Sequence, residues 1–97
     1  MVEHLVWFKL KEGVTGEQKS AMMQTLRDLR GQIDGIEHVA CGEDFSGRSN
    51  GYQIGLVIRF TSREALDIYQ PHPIHQAFVT EFRDLWDDVK ALDFETD

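Results

Sequence analysis

The stretch Val2-Glu3-His4-Leu5-Val6-Trp7-Phe8-Lys9-Leu10 carries bulky apolar side chains at odd and even positions alike. Successive side chains of a strand point to opposite faces. Read as a strand, residues 2–10 put His4, Val6, Phe8 and Leu10 on one face and Leu5 and Trp7 on the other. A strand that is apolar on both faces is buried on both sides. In a chain of 97 residues, something must cover the second face, and a partner subunit is the natural cover.

The same two-face logic extends along the chain. Tyr52, Ile54, Leu56, Ile58 and Phe60 alternate without a break, so Tyr52 to Phe60 reads as the clearest strand, with Gly55 interrupting its other face. Gly55 is read as a bulge, a close approach or room above the sheet, or equally as a simple packing need. Between these strands, Thr15 with Gln18 three positions on forms a capping box. It opens a helix expected to run to about Gln32, with Met22, Leu26, Leu29 and Ile33 as its buried stripe. Asp34-Gly35 is a turn, Ile36 to about Asp44 a second strand, and Ser46 to Gly51 a polar loop. Ser62 caps a short helix that Pro71 ends. Another helix starts near Pro73, a favoured first-turn position, and carries Ala77, Phe78, Phe82 and Leu85. Val89 to Glu95 is a last strand, with Val89, Ala91 and Asp93 on one face and Leu92 and Phe94 on the other. The order β-α-β-β-α-β is the ferredoxin-like split βαβ pattern. It predicts an α+β fold: a four-stranded antiparallel sheet with helices on one face, and a second, apolar face able to pair with another sheet as a barrel.

Bulk composition narrows the functions. One domain over residues 1–97 fits the length. Hydrophobic content of 41% places the chain among globular proteins. A net charge of −7 repels phosphate backbones and anionic lipid, which argues against nucleic-acid and membrane partners. Seven of the 17 acids fall in residues 81–97 against only Arg83 and Lys90, a locally acidic, solvated end. Cys41 is the only cysteine, so no internal disulfide and no cysteine-based metal site is expected, and a reducing compartment fits. The first residues show no secretory leader pattern, and no apolar run approaches the ~20 residues of a membrane span. The expected setting is cytoplasmic.

Tyr69-Gln70-Pro71-His72-Pro73-Ile74-His75 is the candidate site. It brings one phenol and two imidazoles within seven residues, and proline restricts both its own backbone and that of the residue before it. A histidine titrates near working pH and serves as general acid or base. Tyr69 sits across the proline break from His75, where both can reach one substrate oxygen, a pairing suited to proton abstraction beside a carbonyl. The plainer alternative is a helix-start His75 satisfied by backbone, with Tyr69 as a lid. His4, on an apolar strand face, is either a satisfied core residue or a pocket residue. His72, between prolines, holds the break. Phe8, Phe78 and Trp86, with Trp7 and Tyr52, are aromatic candidates for a ligand pocket or for packing. No matched carboxylate or HExxH pattern joins His4, His72 and His75 as metal ligands, and Ser46 to Asn50 lacks a phosphate-loop pattern, so no metal and no cofactor is expected. Histidines in an apolar pocket would weaken the protein in mild acid unless Glu3, Asp67 or Asp93 stands beside them.

Over nearly its full length the chain resembles the stress-responsive dimeric α+β barrel (Dabb) family. The resemblance rests on His4 followed by alternating apolar residues to Phe8-Lys9, on Ile33-x-Gly35-Ile36, and on Gly51-Tyr52 opening the third strand. It continues through Phe60-x-Ser62-x-Glu64-Ala65-Leu66-x-x-Tyr69, His72-Pro73-x-His75, Asp88-Val89 and Leu92-Asp93-Phe94. The resemblance implies a homodimer with its sheets packed as a barrel. It also implies a pocket in each subunit near His4 and the His-Pro-x-His segment. The family includes stress-induced proteins and a plant polyketide cyclase whose catalytic His and Tyr match His75 and Tyr69. That cyclase's first-strand His matches His4, while Ile54 stands where it has a third-strand His. The expected function is therefore cofactor-free lyase, cyclase or isomerase chemistry. Its ligand would be a small carbonyl-bearing, aromatic or polyketide-like molecule. His75, Tyr69 and His4 would act on it, and Val6, Phe8, His72, Phe78 and Trp86 would line its pocket. The alternative is a non-catalytic stress or ligand-holding protein.

Overall fold

In the computed structural model, which describes residues 1–96, the two-faced stretch is β1 (Val2–Leu10), an inner strand of a four-stranded antiparallel sheet. With β2 (Ile36–Glu43), β3 (Ile54–Phe60) and β4 (Trp86–Glu95), the order across the sheet is β2-β3-β1-β4. Helix α1 (Gly16–Arg27) follows β1, and α2 (Arg63–Tyr69) and α3 (Pro73–Phe82) together follow β3. This is the ferredoxin-like fold.

Residues opposite one another across antiparallel strands share a face. His4 stands opposite Ile58 and Asp93, Val6 opposite Leu56 and Ala91, Phe8 opposite Ile54 and Val89. Met22, Met23, Leu26, Tyr69, Phe78 and Phe82 from the helices close over this face and form the core with it. Burying each such side chain contributes about 1.5–3 kcal/mol relative to leaving it in water. On the second face, Leu5 lies opposite Val57 and Leu92, Trp7 opposite Gly55 and Lys90, Glu3 opposite Arg59 and Phe94. Trp7, Leu92 and Phe94 are exposed there. The chain's own helices leave this apolar face uncovered.

Local signals set most boundaries. Thr15 accepts from the Gln18 amide at 3.1 Å and donates its own amide to the Gln18 side chain at 2.8 Å, the expected capping box. Helix α1 nevertheless ends at Arg27, five residues before the expected Gln32. Gly31 takes φ +89°, a left-handed turn that no helix continues through. Leu29 and Ile33 stay buried because tight turns, with the Gln32 and Ile33 amides both donating to Leu29 O, carry the stripe past the helix end. Gly35, at φ +92°, sits where a Cβ would fall 2.6 Å from Ala65 Cβ, so α2 packs directly on the turn before β2.

Two further expectations are corrected. Strand β4 begins at Trp86 rather than Val89, because a register shift between Lys9 and Leu10 lets Leu10 pair with Trp86. Strand β3 begins at Ile54, and Tyr52 is not the first member of the inner row. Its hydroxyl donates to Asp88, and Lys9 and Lys90, which share Trp7's face, flank its ring at 4.8 and 5.3 Å. Among the described residues no helix is long and apolar enough to cross a membrane.

Candidate functional site

Helix placement leaves the inner side of β4 unroofed: Val89 and Ala91 remain exposed although they face the helices. The result is a cavity of about 180 Å³ between α3 and the sheet, open at β4. An apolar cavity of roughly 150 Å³ is enough to take up benzene, so this space suits a small ring.

The proline pair builds the cavity's polar end. Ser62 starts α2 by accepting from the Ala65 amide at 3.2 Å. Pro71 ends it, and Pro73 occupies the first turn of α3. Between them His72 is extended (φ −60°, ψ 135°), and its Nδ1 accepts from the Ile74 amide at 3.1 Å, capping α3. The carbonyl of Gln70, left over at the end of α2, accepts from His75 Nδ1 at 3.0 Å and from Gln76 Nε2 at 2.7 Å. A carbonyl only accepts, so the Nδ1 of His75 carries a proton and its Nε2 keeps a lone pair. The rings of Tyr69 and His75 lie 4.2 Å apart, and His4 meets Tyr69 edge-on at 5.9 Å. His4 Nδ1 is hydrogen-bonded to Asp93 Oδ1 across the β1–β4 register.

Burial pushes the Tyr69 hydroxyl above its ordinary range, so near neutral pH it is a phenol and a donor. No hydrogen bond to that hydroxyl forms among the described residues. Burial also pulls the His75 imidazole below its usual value, opposed by the Gln70 carbonyl and aided slightly by His4 and His72. His75 is therefore neutral near pH 7 and able to accept a proton.

The cavity's other end is aromatic. Phe8 lies 5.0 Å from Trp86 and 6.4 Å from Phe78. The Trp86 indole donates to Met22 Sδ at 3.1 Å, so it offers a ligand only its ring.

Of the residues singled out from sequence, His4, Val6, Phe8, Tyr69, His75, Phe78 and Trp86 line this one cavity. His72 does not line it and serves as the α3 cap. Trp7 and Tyr52 lie toward the opposite face. Among the described residues no three His, Cys, Asp or Glu side chains converge to hold a metal, so His4, His72 and His75 do not form such a set. The site also uses groups that sequence reasoning did not assign. The Gln70 carbonyl was signalled only by its place before a proline. Asp93 is offered by the sequence only as one of three carboxylates, with Glu3 and Asp67, that could stand beside a pocket histidine, and on a strand face with Val89 and Ala91; the sequence does not pair it with His4.

The profile of the Stress responsive A/B Barrel Domain (Dabb) matches residues 2–96. The chain belongs to that family. A Streptomyces coelicolor protein of uncharacterized function is 33% identical over 86 residues, covering 87% of this chain and 89% of that protein. Olivetolic acid cyclase from Cannabis sativa is 28% identical over 95 residues, covering 96% and 94%. Among solved structures, an Arabidopsis thaliana protein superposes with a TM-score of 0.91 at 27% identity over 100% of this chain and 96% of its own. A dimeric ferredoxin-like protein from Jannaschia gives a TM-score of 0.78 at 28% identity, covering 98% of each chain.

Proposed function

We propose that this Dabb protein is a homodimer whose cavity binds a small, neutral, carbonyl-bearing aromatic or polyketide-like molecule and performs cofactor-free acid–base chemistry on it. The reaction class is lyase, cyclase or isomerase. The carrying observation is the Tyr69–His75 pair, a neutral phenol and a neutral imidazole 4.2 Å apart, at the one polar end of an otherwise apolar cavity. His75 Nε2 takes a proton from the ligand, the Tyr69 hydroxyl donates to the oxygen where charge develops, and His4 orients the same ligand. Among the described residues no Lys or Arg lines the cavity, which favours a neutral ligand over a carboxylate.

Likeness to olivetolic acid cyclase supports the chemistry, and the cavity beside His4 and His75 favours it over a stress protein whose interior is filled. The dimer is supported by the uncovered apolar sheet face and by the dimeric Jannaschia relative. Glu3 adds to this. Its Oε1 is held by Arg59 at 2.7 Å, but its buried Oε2 has no donor among the described residues, and a second copy is able to supply one. Residues 1–97 as one domain, in a cytoplasmic setting that keeps Cys41 reduced, complete the reading.

The test is a screen of small aromatic ketones and β-ketothioesters for turnover, followed by His75→Ala and Tyr69→Phe. His75→Ala should lower kcat by about a hundredfold or more. Tyr69→Phe should lower kcat while leaving unfolding free energy within about 1 kcal/mol, because it removes a hydroxyl without orphaning a partner. Turnover unchanged in His75→Ala rejects the assignment.

A further inference from the structure

His4 and Asp93 join two places that the cavity alone does not connect. The His4 side chain is 6% exposed and lines the cavity beside Tyr69; the Asp93 side chain is 43% exposed. Asp93 also lines a second hollow of about 320 Å³ at the outer edge of β4, with Val2, Arg63, Leu66 and Phe94. Their bond spans 89 positions of sequence and is set by the β1–β4 register.

From this geometry we infer that Asp93 is a positioning residue: it fixes the proton of His4 on Nδ1 and so turns Nε2 toward the ligand as a bare acceptor. The inference deepens the proposed function and rests on that cavity being the working site. A carboxylate only accepts when ionised, so its partner nitrogen must be the donor. The neutral ring then has one lone pair left, on Nε2, and no hydrogen bond to Nε2 forms among the described residues. His75 is held the same way by the Gln70 carbonyl.

The polar end of the cavity therefore presents two imidazole acceptors and one phenolic donor. Its complement is a ligand with two donor hydroxyls, or one hydroxyl and one acidic C–H, together with one carbonyl-type acceptor. That describes a hydroxy-ketone or its enol better than a simple ketone. When His4 Nε2 takes a proton from such a hydroxyl, the positive ring that results sits against the Asp93 carboxylate, which stabilises it without itself taking up the proton.

The decisive measurement is ¹⁵N NMR of the imidazole nitrogens in histidine-labelled protein without ligand, at about pH 8.5, two units above the ordinary imidazole value. Wild type should show His4 with Nδ1 protonated and Nε2 bare. Asp93→Ala should move His4 toward the Nε2-protonated form, while His75 keeps its proton on Nδ1 and reports that the cavity is intact. Asp93→Glu should restore the wild-type pattern at least in part. Wild-type His4 protonated on Nε2, whether alone or on both nitrogens, overturns the inference even if no variant folds. An unchanged His4 pattern in a folded Asp93→Ala protein overturns it as well. None of these readings depends on turnover, so failure of the screen leaves them interpretable.

Discussion

On the helix side of the sheet Phe60 is wholly enclosed, whereas on the other side Phe94 keeps 43% of its surface and Leu92 52%. Both faces are apolar in sequence. The difference teaches that an apolar row reports a demand for cover without naming who supplies it. Helices α1, α2 and α3 carry enough apolar surface for one face and stop short even there, leaving the strip along β4 that opens the cavity. The enclosed face holds His4 with its carboxylate. The open face holds Glu3 and Arg59 as an ion pair at 2.7 Å, a polar contact at the margin of a surface otherwise suited to another sheet.

The largest test of this contrast is Phe60→Ala. It empties a fully packed site, and large-to-small changes of that kind cost about 3–5 kcal/mol. Chemical denaturation should show that loss at every protein concentration. A cost near that of an exposed substitution would erase the distinction between the faces.

Leu92→Ala probes the open face. Within one protomer it removes a half-exposed side chain and should change little. In the proposed dimer it removes one contact from each copy, about 2 kcal/mol in all if each is worth about 1 kcal/mol. That is roughly a thirtyfold rise in the dimer Kd, readable by sedimentation equilibrium. An unchanged Kd would take this face out of the interface.

The smallest effect concerns pH and separates the two cavity histidines. His75 has its folded pKa lowered by burial, so the folded state favours its neutral form. Its stabilising contribution is complete above its unfolded value, ~6.5, and is lost as pH falls through the lower folded value. The ring retains contact with solvent, so the slope is shallow. His75→Gln should flatten the fall in Tm between about pH 6.5 and 5. Equal slopes in both proteins would place the ring in water. His4 is left out of this expectation because Asp93 stands beside it. Asp93 is one of the three carboxylates, with Glu3 and Asp67, that the sequence offers as exceptions to a fall in stability in acid.

Much of this was legible before any coordinates. The alternation in Val2–Leu10 and Ile54–Phe60, the Thr15–Gln18 box, the Asp34-Gly35 turn and the proline pair each act over a few residues. Strand pleat, helix capping and proline φ are properties of the local chain, so the order β-α-β-β-α-β and the place of Tyr69 and His75 on either side of a break followed from sequence alone. Where local pattern misled, a longer-range contact had taken over. Leu29 and Ile33 kept helical spacing after the helix had ended, because the core wanted their side chains and Gly31 turned the backbone. Tyr52 kept strand spacing but turned to Asp88 and the two lysines. Only the tertiary structure decided that Asp93 faces His4, that the Gln70 carbonyl holds His75, and that β4 is left bare above Val89 and Ala91. Each depends on which residues stand opposite one another across separate elements. That register is settled by turn lengths and by the packing of whole faces, and a one-residue slip would send every side chain of a strand to the other side.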